Sequence, residues 1–209
     1  MNTARSLEVA LERALPATSD EAAFVAELQA GSEEAFAYLL AVYQNPTYNL
    51  ISHIVESGTD AADVLQEVFV KVFKGIKQFH GESSLKTWIY RIAVHEASNH
   101  RRGWLRRHWH EVFSLDEARA GCDVAVAESG GLPETPYQTL EQVERQEVVR
   151  RALASLAQPY RSVLVLREIE GLSYEEIGQV LGIAEGTVKS RLMRGRELLK
   201  RKLASWLER

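Results

Sequence analysis

The chain has 209 residues, 45% of them apolar and 26% charged, with a net charge of -4 and one cysteine. That balance excludes a disordered or collagen-like chain, and a lone Cys122 excludes an internal disulfide framework or a cysteine-based zinc cluster within one copy. No uninterrupted apolar stretch approaches the ~20 residues of a bilayer span, and Glu8, Glu12 and Arg13 interrupt the only amino-terminal stretch that could act as a secretory leader, so the expected location is the cytoplasm.

The charge is unevenly spread. Residues 1–76 hold four Lys and Arg against eleven Asp and Glu, and residues 77–110 hold seven against two. Residues 111–147 are acidic again, two against nine, and residues 148–209 are basic, twelve against seven. Phosphate attraction follows local charge, so two basic blocks separated by an acidic one point to two nucleic-acid surfaces. Solvated helix faces are the plainer alternative.

In chain order, Asp20 and Ser32 have the chemistry of helix N-caps. Phe24 with Leu28, then Phe36 with Leu39, Leu40 and Tyr43, recur at the spacing of a buried helical stripe, and Gly31 and Asn45-Pro46 are expected to end these segments. A longer helix is predicted from Asp60 to Ile76, with Val64, Val68, Val72 and Ile76, flanked by Leu65, Phe69 and Phe73, on one apolar face. A further helix starts at Ser83 or Ser84 and runs to about Arg102. From Glu111 to Thr139 periodicity fades among Gly121, Gly130, Gly131, Pro133 and Pro136, which predicts a flexible acidic linker. Helical pattern returns with Leu140, Val143, Val149, Leu153 and Leu156, Pro159 suits a first helical turn, and Gly171 closes that helix.

Residues 172–199, LSYEEIGQVLGIAEGTVKSRLMRGRELL, carry the densest signal. Ser173 and Glu176 have capping-box spacing, small Gly178 permits close approach of a second helix, Gly182 suits a left-handed turn, and Val188 returns to the shared core. This is helix-turn-helix spacing, whose second helix enters the major groove. Val188, Leu192 and Leu199 mark its buried side. Ser190, Met193, Arg194 and Glu197 then face outward as candidates for base edges, while cations such as Lys189, Arg191, Arg196, Lys200, Arg201 and Lys202 suit phosphates. An ordinary helical hairpin is the alternative.

Residues 79–102, FHGESSLKTWIYRIAVHEASNHRR, join a Gly and Ser loop to a helix of aromatics and cations. A pocket of that kind can offset the few kcal/mol lost when a base leaves its stack. Arg91, His95, Ser98 and Arg102 fall along one stripe, with Trp88, Ile92 and Asn99 beside it. Ile89 is expected in the core; Trp88 fits either core or base contact.

Three segments in order, DAADVLQEVFVKVF (60–73), FHGESSLKTWIYRIA (79–93) and LSYEEIGQVLGIAEGTVKSRL (172–192), resemble those of the extracytoplasmic-function sigma factors, a branch of the sigma-70 family of bacterial RNA polymerase, sigma-E among them. The resemblance covers roughly residues 20–209. It implies an all-α chain of two helical domains: an extension at 1–19, a region 2 domain at 20–110 that binds core polymerase and melts the minus-ten element, a linker at 111–139, and a region 4 helix-turn-helix domain at 140–209 for the minus-thirty-five element. It makes Asp63, Gln66, Glu67 and Val70 a face for the clamp of the largest polymerase subunit, with the flap of the second-largest subunit as a further contact. It assigns minus-ten DNA to Phe79, His80, Gly81, Glu82, Ser83, Ser84, Trp88, Arg91, Ile92, His95, Asn99 and Arg102. Minus-thirty-five DNA falls to Thr187, Lys189, Ser190, Arg191, Met193, Arg194 and Glu197. His95 departs from the Asn common in the family.

The same resemblance implies a stress-responsive factor held by an anti-sigma protein, often membrane-anchored, and a linker that threads the polymerase cleft. The run RRGWLRRHWH (101–110) suits spacer phosphates or a plain helix terminus. No catalytic residue, metal or cofactor is expected. Five histidines, His80, His95, His100, His108 and His110, raise a metal-dependent nuclease as a rival, but only Glu82 and Glu96 accompany them and the spacings do not align three ligands. A conventional DNA-binding regulator is the other rival, and leaves residues 79–110 without a role.

Overall fold

The computed structural model describes residues 18–55, 58–107 and 146–207, which contain helices and no strand. The linker at 111–139, the extension up to residue 17, Leu140, Val143 and the run from His108 to His110 lie outside the described residues.

Helix α1 (Thr18–Ala30) starts two residues ahead of the expected Asp20 cap. Helix α2 (Glu33–Ser52) is capped as expected, Ser32 Oγ accepting from Ala35 N at 3.2 Å. Pro46 was expected to end it, yet the helix continues to Ser52. A proline inside a helix costs about 3 kcal/mol in lost bonding and ring clash. Here Leu50 and Ile51 beyond the proline are fully buried, and burial of such side chains at about 1.5–3 kcal/mol each offsets that cost.

Helix α3 (Gly58–Gly75) runs into a 3-10 turn (Ile76–Gln78). Val64, Val68, Val72, Ile76 and Leu65 are buried as their spacing requires, but Phe73 is 62% exposed, its ring tilted on that of Phe36 at 4.7 Å between centroids. Leu40 and Val149, also expected inside, are exposed. Helix α4 (Leu85–Arg107) outruns the expected Arg102 end by five residues. Its free N-terminus is satisfied twice: Ser84 Oγ accepts from Thr87 N at 3.1 Å, and Glu21 of α1 accepts from Leu85 N at 2.8 Å. Ile89 is fully buried, as expected.

After helix α5 (146–154) comes α6 (Gln158–Leu164), with Pro159 in its first turn, which widens into a π-helical turn at Val165–Ile169. Helix α7 (Tyr174–Leu181) opens on the full capping box of Ser173 and Glu176. Gly182 follows at φ 65°, the left-handed conformation that favours glycine, and leads to α8 (Glu185–Leu207). At Gly178 a Cβ would lie 2.9 Å from the Ile183 carbonyl, so the tight turn has no room for a side chain. Buried apolar residues of both halves, from Leu28 to Leu192, join in one core cluster.

Candidate nucleic-acid and polymerase interfaces

On α3 the apolar stripe fixes the rotation of the helix, so Asp63, Gln66, Glu67 and Val70 all stand exposed on the opposite side. Val70 is 50% exposed among charged neighbours, and the exposed ring of Phe73 extends the same apolar spot. Sequence periodicity assigned Phe73 to the core because it follows Val72 directly. An exposed aromatic beside Val70 instead enlarges a surface suited to a protein partner.

The loop between α3 and α4 is held from below. Gln29 donates to the carbonyls of Ile76 and Phe79 at 3.2 and 2.8 Å. The Phe79 ring is buried and packs on half-buried Trp88, with centroids 5.2 Å apart. Phe79 therefore supports the loop, and His80, Gly81 and Glu82 form its exposed tip. Ser83 and Ser84 are half-buried, and Ser84 is engaged in capping α4.

Along α4 a polar chain links several of the expected DNA-facing residues. Lys71 of α3 pairs with buried Glu96, whose other oxygen lies 2.8 Å from Nδ1 of exposed His95. The Asn99 amide lies 3.2 Å from the same ring nitrogen, and Arg102 donates to Asn99 Oδ1 at 2.5 Å. Burial alone would push the Glu96 carboxyl up, but bonds and charges from Lys71 and His95 outweigh it and hold it below its ordinary range. The network links the His95 and Asn99 side chains to a buried carboxylate, and a side chain ordered in advance lowers the cost of any contact it makes.

On α8, Val188 and Leu192 are buried and Leu199 is partly so. Ser190, Met193, Arg194 and Glu197 all face solvent, Met193 at 63% exposure. The cations divide into classes that sequence alone could not separate. Lys189 pairs with Glu185 at 2.9 Å, and Arg196 with Glu168 of the π turn at 2.7 Å. Arg194 is exposed with no acidic partner among the described residues. Thr187 and Arg191 are half-buried.

Arg191 and the α4 residues Arg91, Ile92 and His95 line one open cleft of about 940 Å³ between the two halves of the chain. Arg91 Nε donates to the Gln179 carbonyl of α7 at 3.0 Å, Tyr90 donates to Glu170 at 2.6 Å, and Gln158 bonds to Ser98. Arg161, wholly buried, donates to the carbonyls of Ile54 and Leu156 at 3.0 and 3.2 Å. The sequence reading missed Tyr90, Arg161 and Glu170. Their partners lie up to 107 residues away, beyond any local pattern.

Among the described residues no three His, Cys, Asp or Glu side chains are placed to hold a metal ion, and no helix is long and apolar enough to cross a membrane. Residues 39–108 match the family model for Sigma-70 region 2, and residues 146–199 that for Sigma-70, region 4. The chain is 37% identical over 188 residues to the ECF RNA polymerase sigma-E factor of Escherichia coli K12, covering 88% of this chain and 95% of that protein. It is 35% identical over 181 residues to the corresponding factor of Haemophilus influenzae, covering 87% and 94%. In fold it is similar to CnrH, solved in complex with the cytosolic domain of CnrY, with a TM-score of 0.63, 22% identity and coverage of 88% of this chain and 97% of that one. The sigma factor RpoE of Bartonella quintana, solved with the anti-sigma factor NepR, gives a TM-score of 0.60 at 24% identity, with coverage of 81% and 96%. With both family regions present in order, and relatives of this identity matched over nearly their whole length, the chain belongs to the extracytoplasmic-function sigma factors of the sigma-70 family.

Proposed function

We propose that this protein is a cytoplasmic, non-enzymatic initiation factor that binds core RNA polymerase, brings it to promoters with minus-ten and minus-thirty-five elements, and promotes melting at the former. The observation that carries this reading is the joint exposure of two chemically different faces in one chain. The α3 face of Asp63, Gln66, Glu67 and Val70 is acidic and apolar and suits a protein, the polymerase clamp. The α8 face of Ser190, Met193, Arg194 and Glu197 offers donors, an acceptor and an apolar tip, which suits base edges in a major groove.

In this scheme residues 20–110 bind polymerase and the minus-ten element, and the exposed loop tip from His80 to Glu82 receives an extruded base. Residues 140–209 read the minus-thirty-five element and meet the flap, and residues 111–139 join the two through the polymerase cleft. Linking two modest DNA contacts raises the effective concentration of the second once the first has formed. An anti-sigma protein is the proposed antagonist, on the pattern of the Bartonella quintana factor solved with the anti-sigma factor NepR, and release from it under stress is the proposed trigger.

Retention of a promoter fragment, measured with and without core polymerase, tests this function. Retention only by the complex supports it. Equal and sequence-specific retention by the chain alone identifies a conventional regulator instead.

A further inference from the structure

Base recognition needs donors and acceptors at fixed places, and two neighbouring polar residues of α4 do not settle theirs alone. A neutral imidazole carries its hydrogen on either ring nitrogen, and a primary amide can present either end. In this chain both choices are made by the residues beside them.

Glu96 makes the first. It is 7% exposed, and one of its carboxylate oxygens is taken by Lys71 of α3. Its bonds to Lys71 and His95 keep the carboxyl ionised against burial. The other oxygen lies 2.8 Å from Nδ1 of His95. A carboxylate only accepts, so at that distance Nδ1 carries the hydrogen and Nε2 of the neutral ring is left as an acceptor. Arg102 makes the second choice. It donates to Asn99 Oδ1 at 2.5 Å, and a guanidinium only donates, so the amide oxygen faces Arg102 and the amide nitrogen faces His95. That nitrogen lies 3.4 Å from Nε2, a long contact that an incoming group displaces at little cost.

We infer that Glu96 is a positioning residue that sets which base His95 reads. With the Nδ1 hydrogen given to Glu96, His95 Nε2 accepts and Asn99 Nδ2 donates beside it. The pair complements an exocyclic amino group next to a ring-nitrogen acceptor, the edge of adenine or cytosine, and opposes the carbonyl next to an N–H that guanine and thymine present. That the ligand is a promoter base rests on the proposed sigma function, whereas the placement of the hydrogen does not.

Glu96→Gln is expected to move that hydrogen. Lys71 only donates and so keeps the new amide's oxygen, which turns its nitrogen toward Nδ1 and shifts the ring hydrogen to Nε2. Lys71→Met breaks the same ion pair but leaves two accepting oxygens, so the hydrogen stays on Nδ1. Two measurements on the full chain at about pH 8, above the ordinary imidazole range, test this. Nitrogen NMR of histidine-labelled protein, with the His95 signal identified by its loss in His95→Asn, should show Nδ1–H in the wild type and Lys71→Met and Nε2–H in Glu96→Gln. Open-complex formation with core polymerase, on promoters carrying each base in turn along the minus-ten nontemplate strand, should favour adenine or cytosine at one position on the order of tenfold. Lys71→Met keeps that preference and Glu96→Gln reverses it toward guanine or thymine. In a His95→Asn background, Glu96→Gln no longer alters the preference. Nε2–H in the wild type, or one and the same change of preference in Lys71→Met and Glu96→Gln, overturns the inference, the latter because lost packing alone would produce it. Nδ1–H in the wild type with no open complex on any promoter keeps the hydrogen placement but defeats the sigma reading, and with it the choice of base.

Discussion

Arg91 and Gln179 are joined by a 3.0 Å hydrogen bond from guanidinium to backbone carbonyl, which ties a cation of α4 to helix α7. Under the proposed assignment of Arg91 to minus-ten DNA, a phosphate competes with that carbonyl for the same donor. Arg91→Ala is expected to lower the log-log salt slope of open-complex formation by about 1 with little change in promoter preference. Open-complex stability measured across a salt series checks this, and an unchanged slope contradicts it.

Arg194 and Arg196 lie two residues apart but are predicted to behave differently. Arg194 is exposed with no acidic partner among the described residues, while Arg196 is held by Glu168. Arg194→Ala should weaken use of the upstream element by about 1 to 3 kcal/mol and leave polymerase binding intact. Arg196→Ala should cost less than about 1 kcal/mol, the usual worth of an exposed ion pair. Transcription across minus-thirty-five variants separates the two, and equal effects count against the assignment.

The buried ring of Phe79 alters what its substitution reports. Phe79→Ala removes a side chain packed on Trp88 and is expected to destabilise the fold by about 3 kcal/mol or more. It therefore impairs transcription from duplex and premelted templates alike. His80→Ala, at the exposed tip, should leave thermal stability unchanged and slow opening of duplex promoters more than use of a premelted template. Equal loss on both templates with His80→Ala refutes a melting role for the loop.

The exposed apolar pair beside the α3 carboxylates gives a test of the polymerase face. Val70→Glu should reduce affinity for core polymerase by about tenfold or more, the loss expected when a charge enters a packed interface. Its melting temperature should match wild type, since Val70 is already half exposed. Unchanged affinity in a binding titration removes Val70 from the interface.

Glu96 makes stability depend on acid. Its carboxyl is held below the ordinary 4.5 because Lys71 and His95 outweigh the opposing effect of burial. A group with a lower pKa folded than unfolded contributes stability above about pH 4.5 and loses it as pH falls through the folded value. Glu96→Gln should be less stable at neutral pH and decline less steeply from about pH 5 to pH 3. Thermal melts over that range decide it, and parallel declines for the two proteins contradict the network.

The helix-turn-helix was legible in sequence because its determinants are local. A cap three residues from its partner, Gly178 at the close approach, Gly182 at the turn and Val188 in the core fix the geometry within sixteen residues. The α3 stripe was equally plain, and it placed the exposed face of Asp63, Gln66, Glu67 and Val70 by elimination. Pro46 misled because tertiary burial of Leu50 and Ile51 overrides a local helix breaker. Phe73 misled because an apolar residue at a stripe's edge can serve a partner as readily as a core. Arg161 was invisible for a different reason: the backbone carbonyls of Ile54 and Leu156 that it bonds carry no residue-type signal in the sequence.

Start-site mapping of transcripts made by purified core polymerase on a library of genomic promoter fragments tests the central claim most directly. Adding the chain is predicted to produce new, discrete starts that share paired elements near minus ten and minus thirty-five. Identical transcripts with and without the chain, at concentrations where both proteins are folded, would contradict the account.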